Sequence, residues 1–192
     1  MPALTTRFYR LAWAFYLLLA LAGVVGLAAL GQRIEPRLLV DPASWWIDVA
    51  LGVGAGGVLL ALWLVVRRFV AAASRLEETL ARLLGPVRRD ELVALALISA
   101  VAEEVAFRGA LQGAIGVVPA AVVFALLHVG PGAPFRLWSA YALAGGLVFG
   151  ALAAERGALL APILGHLVVN LVQLGRIGGA RAGDTAGHLP EA

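Results

Sequence analysis

Five apolar runs divide the chain: Leu11 to Leu30, Ile47 to Val66, Leu92 to about Ile115, Leu137 to Ala154 and Ala158 to Leu174. Each approaches or exceeds the ~17 to 20 residues that a helix needs to cross a hydrocarbon core of ~30 Å. Inside lipid every backbone N–H and C=O must be satisfied within its own segment, so runs of this kind fold as helices. A sixth run, Val117 to Val129, stops at Gly130-Pro131-Gly132-Ala133-Pro134. At about 13 residues it is marginal for spanning, which suits a segment packed inside the bundle or one ending in a recess. The expected fold class is therefore all-α, a polytopic membrane helical bundle of about six segments. Composition agrees, since 61% hydrophobic and 14% charged residues lie far from the balance of a soluble domain.

Arg7 and Arg10 precede the first run in the manner of a signal peptide. The run exceeds the roughly 7 to 15 apolar residues of a signal h-region and is read as a retained first span. Arginine placement then sets orientation, because short cytoplasmic loops carry the basic excess. With the N-terminus inside, Arg7, Arg10, Arg67, Arg68, Arg75, Arg82, Arg88, Arg89, Arg136, Arg176 and Arg181 are cytoplasmic, against Arg33, Arg37 and Arg156 outside. This predicts a multi-pass protein of the cell membrane with both termini in the cytoplasm.

Between Arg68 and Leu84, Phe69, Ala73, Leu76, Leu80, Leu83 and Leu84 recur at helical spacing while Arg75, Glu78 and Arg82 fall elsewhere. That pattern predicts one cytoplasmic interfacial helix, closed by Gly85-Pro86. Trp45 and Trp46 suit the outer interface. Three parts follow: residues 1–90 with two spans and the interfacial helix, residues 91–176 as a helical core, and residues 177–192 as a flexible cytoplasmic tail.

Some function classes are excluded. The chain has no lysine and its arginines are scattered between apolar runs, so no basic face for nucleic acid exists. Cysteine is absent, which removes disulfides, thiolate metal ligands and cysteine nucleophiles.

Against this apolar background, Glu103-Glu104-Val105-Ala106-Phe107-Arg108 stands out, as do His128 and His166 in later runs. An ionisable side chain at bilayer depth costs on the order of 2.5 to 3.5 kcal/mol on insertion scales, so three segments retaining them point to a shared polar site. Glu104 and Arg108, four apart, can pair on one helix face. Glu103, turned by about 100°, is left for other work, and a carboxylate in a low-dielectric site suits proton transfer from water. Glu103 lies ~16 Å along the axis from Leu92, and His166 and Asn170 lie ~15 Å and ~9 Å from Arg176. With His128 beside the Gly/Pro loop, all four fit one cavity open to the cytoplasm. His166 and Asn170 share a face and can address one point. Phe124 stands one turn before His128 and is read as bundle packing.

Glu103-Glu104-x-x-x-Arg108, Phe124-x-x-x-His128 and His166-x-x-x-Asn170, in that order on three segments, resemble the motifs of the CPBP family, the CAAX prenyl endopeptidase and bacteriocin-processing intramembrane proteases also called Abi. Phe107-Arg108-Gly109 and Gly157-Ala158-Leu159-Leu160-Ala161-Pro162-Ile163-Leu164 fit the surrounding pattern, and the resemblance covers about Leu92 to Leu174. It implies an intramembrane endopeptidase acting on a membrane-associated peptide or protein. Glu103 would activate water with help from His128, His166 and Asn170 would stabilise the oxyanion, and Glu104 and Arg108 would support the site.

Glu103, His128 and His166 can also be counted as three zinc ligands with an open fourth position. The His-Glu-x-x-His helix of common zinc proteases is absent, and a metal-free mechanism without cofactor is the preferred expectation. Outside proteolysis, two other classes fit buried carboxylates and histidines: a non-catalytic immunity or scaffold protein, and a proton-coupled transporter, the latter without evident inverted repeats. Partners are the lipid bilayer and the substrate. The scissile bond, substrate prenylation and oligomeric state have no signature in the sequence.

Overall fold

The computed structural model describes residues 3–32, 36–85 and 87–186, with side chains described for residues 7–32, 38–85 and 87–177. Among the described residues every regular element is helical. Four helices are long and apolar enough to cross a membrane, over Arg7–Ala29, Trp45–Phe69, Gly132–Arg156 and Leu160–Ile177. They belong to α1 (Ala3–Ala29), α3 (Trp45–Phe69), α8 (Gly132–Arg156) and α9 (Leu160–Ala186). A short α2 (Pro36–Leu39) lies between α1 and α3.

The two remaining segments of the bundle depart from simple spans. The run from Leu92 to Ile115 is helical throughout but composite: α5 (Arg89–Glu104), a π-helical turn (Val105–Leu111) and α6 (Gln112–Ile115). In the π turn the helix widens, and Gln112 N–H reaches back five residues to Phe107 O. Its charged residues keep this segment from being a plain apolar span. The marginal sixth run forms α7 (Val117–Leu126), too short to span, followed by the turn that carries His128.

α9 is the central strut, packed chiefly against α3 and then α5 and α8. The α3–α9 approach is close enough to require glycine. A Cβ on Gly52 would sit 2.3 Å from Ala161 O, and one on Gly56 would sit 2.6 Å from Gly165 O. In lipid, where apolar burial gives little drive between helices, such close backbone packing is a main source of association. α1 lies against α5 and the π turn, and α7 lies against α8.

Val70, in an extended conformation, breaks α3 from α4 (Ala71–Leu84), which ends at Gly85 with φ 65°. α4 is amphipathic as expected: Ala72, Ala73, Leu76 and Leu84 are buried while Arg75, Glu78 and Arg82 are exposed. Phe69 and Leu83, expected on its apolar face, are exposed instead, Phe69 because it ends α3. Glu77 fastens α4 to the bundle, accepting from Trp63 Nε1–H at 2.9 Å and from Arg67 Nε–H at 2.7 Å.

At the far end of α3 and α8, buried Asp48 pairs with Arg156, which also donates to Ser44. α9 stays helical to Ala186, so the stretch from residue 177 expected to be a tail continues the helix there. His188 lies outside the described residues.

Candidate active site

Glu103 and Glu104 end α5, where the helix passes into the π turn that carries Arg108. Glu104 is fully buried, and its Oε1 lies 3.1 Å from Arg108 Nη1, the pairing that four-residue spacing implies. The contact is electrostatic and not a well-aligned hydrogen bond, since neither terminal guanidinium nitrogen has a hydrogen-bond partner. The guanidinium instead lies over the Phe124 ring, 4.6 Å from its centroid, and 5.9 Å from that of Phe149. Cation–π attraction to a desolvated guanidinium is worth about 2 kcal/mol, which makes the two rings part of the means by which this charge stays buried.

Glu104 serves a second group. His166 Nδ1–H donates to the same Oε1 at 2.8 Å. A carboxylate cannot donate, so this bond puts a proton on Nδ1 and turns Nε2 toward Glu103, whose Oε2 is 3.7 Å away. Glu103 Oε2 is itself buried and has no hydrogen-bond partner. Phe149 stacks on the His166 ring at 5.6 Å between centroids and an interplanar angle of 21°, holding its plane.

His128 follows α7 and is half-buried. Its Nδ1–H donates to Phe124 O at 2.8 Å. The carbonyl can only accept, so in the neutral ring Nε2 is left as the acceptor. Phe124 contacts the His128 ring at 4.6 Å, Phe107 at 5.0 Å and His166 at 6.2 Å. It does more than pack: it joins both histidines and the arginine.

One cavity of about 260 Å³ brings together Glu103, His128, His166 and Asn170. Its walls are mostly apolar and come from α1, α3, α4, α5, α7, α8 and α9, with Trp63, Leu76, Phe124, Trp138 and Tyr141 among them. Glu104 and Arg108 stand behind this surface. Asn170 does not bond to His166; its Nδ2–H donates to Ser99 Oγ at 2.9 Å. The sequence reading missed Ser99 and Tyr16, both of which line the cavity. The Tyr16 hydroxyl, from α1, faces Glu103 and Ser99. The spacing of Ser99 one turn before Glu103 was the only available signal for it, and Tyr16 had none.

Among the described residues no group of three or more histidine, aspartate or glutamate side chains is arranged to hold a metal ion. Glu103, His128 and His166 thus do not form a ready set of three ligands here, and no step is derived through a metal.

Residues 91–172 match the family model described as Rce1-like, "Type II CAAX prenyl endopeptidase Rce1-like". This segment carries an Rce1-like domain. It runs from α5 into the first half of α9 and so contains all seven named residues of the three motifs. Searches of curated proteins and of solved structures found no match. The match makes this segment similar to the CAAX-type prenyl endopeptidases, and the four long apolar helices suit a membrane protein.

Proposed function

We propose that the chain is an intramembrane endopeptidase in which Glu103 activates water for attack on a peptide carbonyl. The observation that carries this reading is the buried Glu103 carboxylate, whose Oε2 lies 3.7 Å from His166 Nε2 at a mostly apolar cavity that His128 and Asn170 also line. A carboxylate oxygen at a cavity wall, beside an imidazole nitrogen and with a histidine and a carboxamide on the same cavity, can take a proton from a water held there.

Glu103 takes a proton from water while the His128 Nε2 lone pair orients it, and the hydroxide oxygen bonds to the carbonyl carbon. The carbonyl π pair becomes the oxyanion, which His166 and Asn170 stabilise by donation. Because Nδ1–H of His166 is held by Glu104, donation from Nε2 uses a doubly protonated ring, whose charge faces the Glu103 carboxylate before the proton transfer and the oxyanion after it. On collapse the C–N bond breaks and Glu103 returns the proton to the leaving amine. Glu104 and Arg108 orient His166 and neutralise one another.

The arginine distribution supports a cell-membrane protein whose cavity, lined in part by α4, faces the cytoplasmic side. The substrate reaches Glu103 along an apolar path, so it is a membrane-associated peptide or protein. The test is cleavage by purified protein in lipid vesicles of a panel of quenched fluorescent peptides, prenylated, acylated and unmodified. Wild-type cleavage that Glu103→Gln abolishes supports the reading, and the prenylated arm decides whether a prenyl group is needed. No cleavage by either protein, with the cellular phenotype retained by Glu103→Gln, sinks it.

A further inference from the structure

Asn170 poses a chemical problem for oxyanion donation. Its carboxamide carries two donors on one atom and an acceptor on the other, and a half-turn about its last bond exchanges them. In the wrong sense it would aim Oδ1 at the developing negative charge. Something must choose the sense, and Ser99 is placed to do so. Ser99 is 3% exposed and stands one helical turn before Glu103 on α5. Its Oγ–H has Ala96 O as acceptor at 3.1 Å, and the Tyr16 hydroxyl also faces it. Oγ in turn accepts from Asn170 Nδ2–H at 2.9 Å, which sets the sense of the carboxamide. With one N–H held there, the same nitrogen keeps a second N–H for the substrate.

We propose that Ser99 is a positioning residue that fixes the Asn170 carboxamide with its N–H donor toward the reacting carbonyl. The assignment rests on the proteolytic reading above. It also ties the spacing of base to oxyanion donor to a single helix, since Ser99 and Glu103 are carried by α5 while Asn170 comes from α9.

The experiment is a double-mutant cycle on the panel peptide that wild type cleaves fastest, in vesicles, with Ser99→Ala, Asn170→Ala, the double variant and Ser99→Thr. Removing an oxyanion donor costs about 10²- to 10³-fold, which leaves Asn170→Ala measurable. Ser99→Ala is expected to lower kcat by roughly 10- to 100-fold, the scale of a misplaced catalytic group, with KM within about twofold. The double variant is expected to match Asn170→Ala alone, and Ser99→Thr, which keeps the hydroxyl, to retain most activity. Should the threonine variant fold poorly, the cycle still decides.

Ser99→Ala with wild-type kcat, or a loss that multiplies in full with that of Asn170→Ala, overturns the assignment and leaves the protease standing. So does an Asn170→Ala variant with full activity. A wild type that cleaves no peptide removes both.

Discussion

Among the described residues two buried acid–arginine pairs hold this bundle, and they differ in span and in surroundings. Glu104–Arg108 lies within one composite helix, with both side chains almost wholly buried. Asp48–Arg156 joins α3 to α8 across 108 positions, with Arg156 18% exposed and a serine hydroxyl sharing its guanidinium. In each, one carboxylate oxygen has no hydrogen-bond partner. Burial of charge therefore does not by itself mark a reacting centre. What sets the first pair apart is its surroundings: a histidine on the same oxygen, a second carboxylate next in sequence, and a cavity in front.

The largest effect expected is at the carboxylate that distinguishes the two regions. Glu103→Gln keeps the size of the side chain and removes its basicity, and a general base accounts for about 10²- to 10⁴-fold in rate. The variant is expected to be made at wild-type yield and to lose cleavage on that scale. Asp48→Asn is expected to behave in the opposite way, lowering thermal stability in detergent while the folded protein keeps its kcat. Equal loss of kcat in both would erase the distinction.

Breaking the arginine side of each pair comes next. Arg108→Ala strands Glu104 in the interior, and breaking a buried pair costs about 3 to 5 kcal/mol, so yield and activity should fall together. Arg108→Lys keeps the charge and gives up the flat contact with Phe124, so it is expected to recover yield more than activity. Arg156→Ala should lower the melting temperature and leave the activity of the surviving protein unchanged. Melting curves and active-site-normalised rates on the same preparations check all three.

The contrast also explains what could be read from the sequence. The long apolar runs and the amphipathic pattern of α4 were legible because lipid and interface impose simple periodicities. The Glu104–Arg108 pair was legible because its partners lie four residues apart on one helix. Asp48 went unremarked, since its partner is 108 positions away and no local pattern names it. The same limit hid Tyr16 and Ser99, which meet the site only when α1 and α9 pack against α5. The π turn was hidden too, because widening of a helix follows from packing and not from any residue pattern in Val105–Leu111. Phe124 was underrated for a related reason: a phenylalanine looks like packing until a guanidinium is found on its face.

Tyr16 offers a smaller and sharper probe. Tyr16→Phe removes only a hydroxyl that faces Glu103 and Ser99. A hydrogen bond to a charged group is worth about 1.5 to 3 kcal/mol, and part of that is recovered by water entering the cavity. A fall in kcat of roughly tenfold or less, with unchanged KM and yield, is expected. Wild-type kinetics in this variant would confine the working site to residues 91–172.

A third pair closes the series at its weak end. Arg88 and Asp90, at the start of α5, sit at 2.8 Å with side chains 77% and 65% exposed. The Arg88 guanidinium holds the Asp90 carboxyl below its ordinary value. A lowered carboxyl contributes stability above the ordinary carboxylate range and loses it as pH falls through the lowered value. Water and salt screen a pair this exposed, so its contribution to folding is slight. Arg88→Ala is accordingly expected to match wild type in yield, melting temperature and kcat at neutral pH, in low salt and high. A loss comparable to that of Arg108→Ala would mean that this end of α5, and not only the buried pair, sets the position of Glu103.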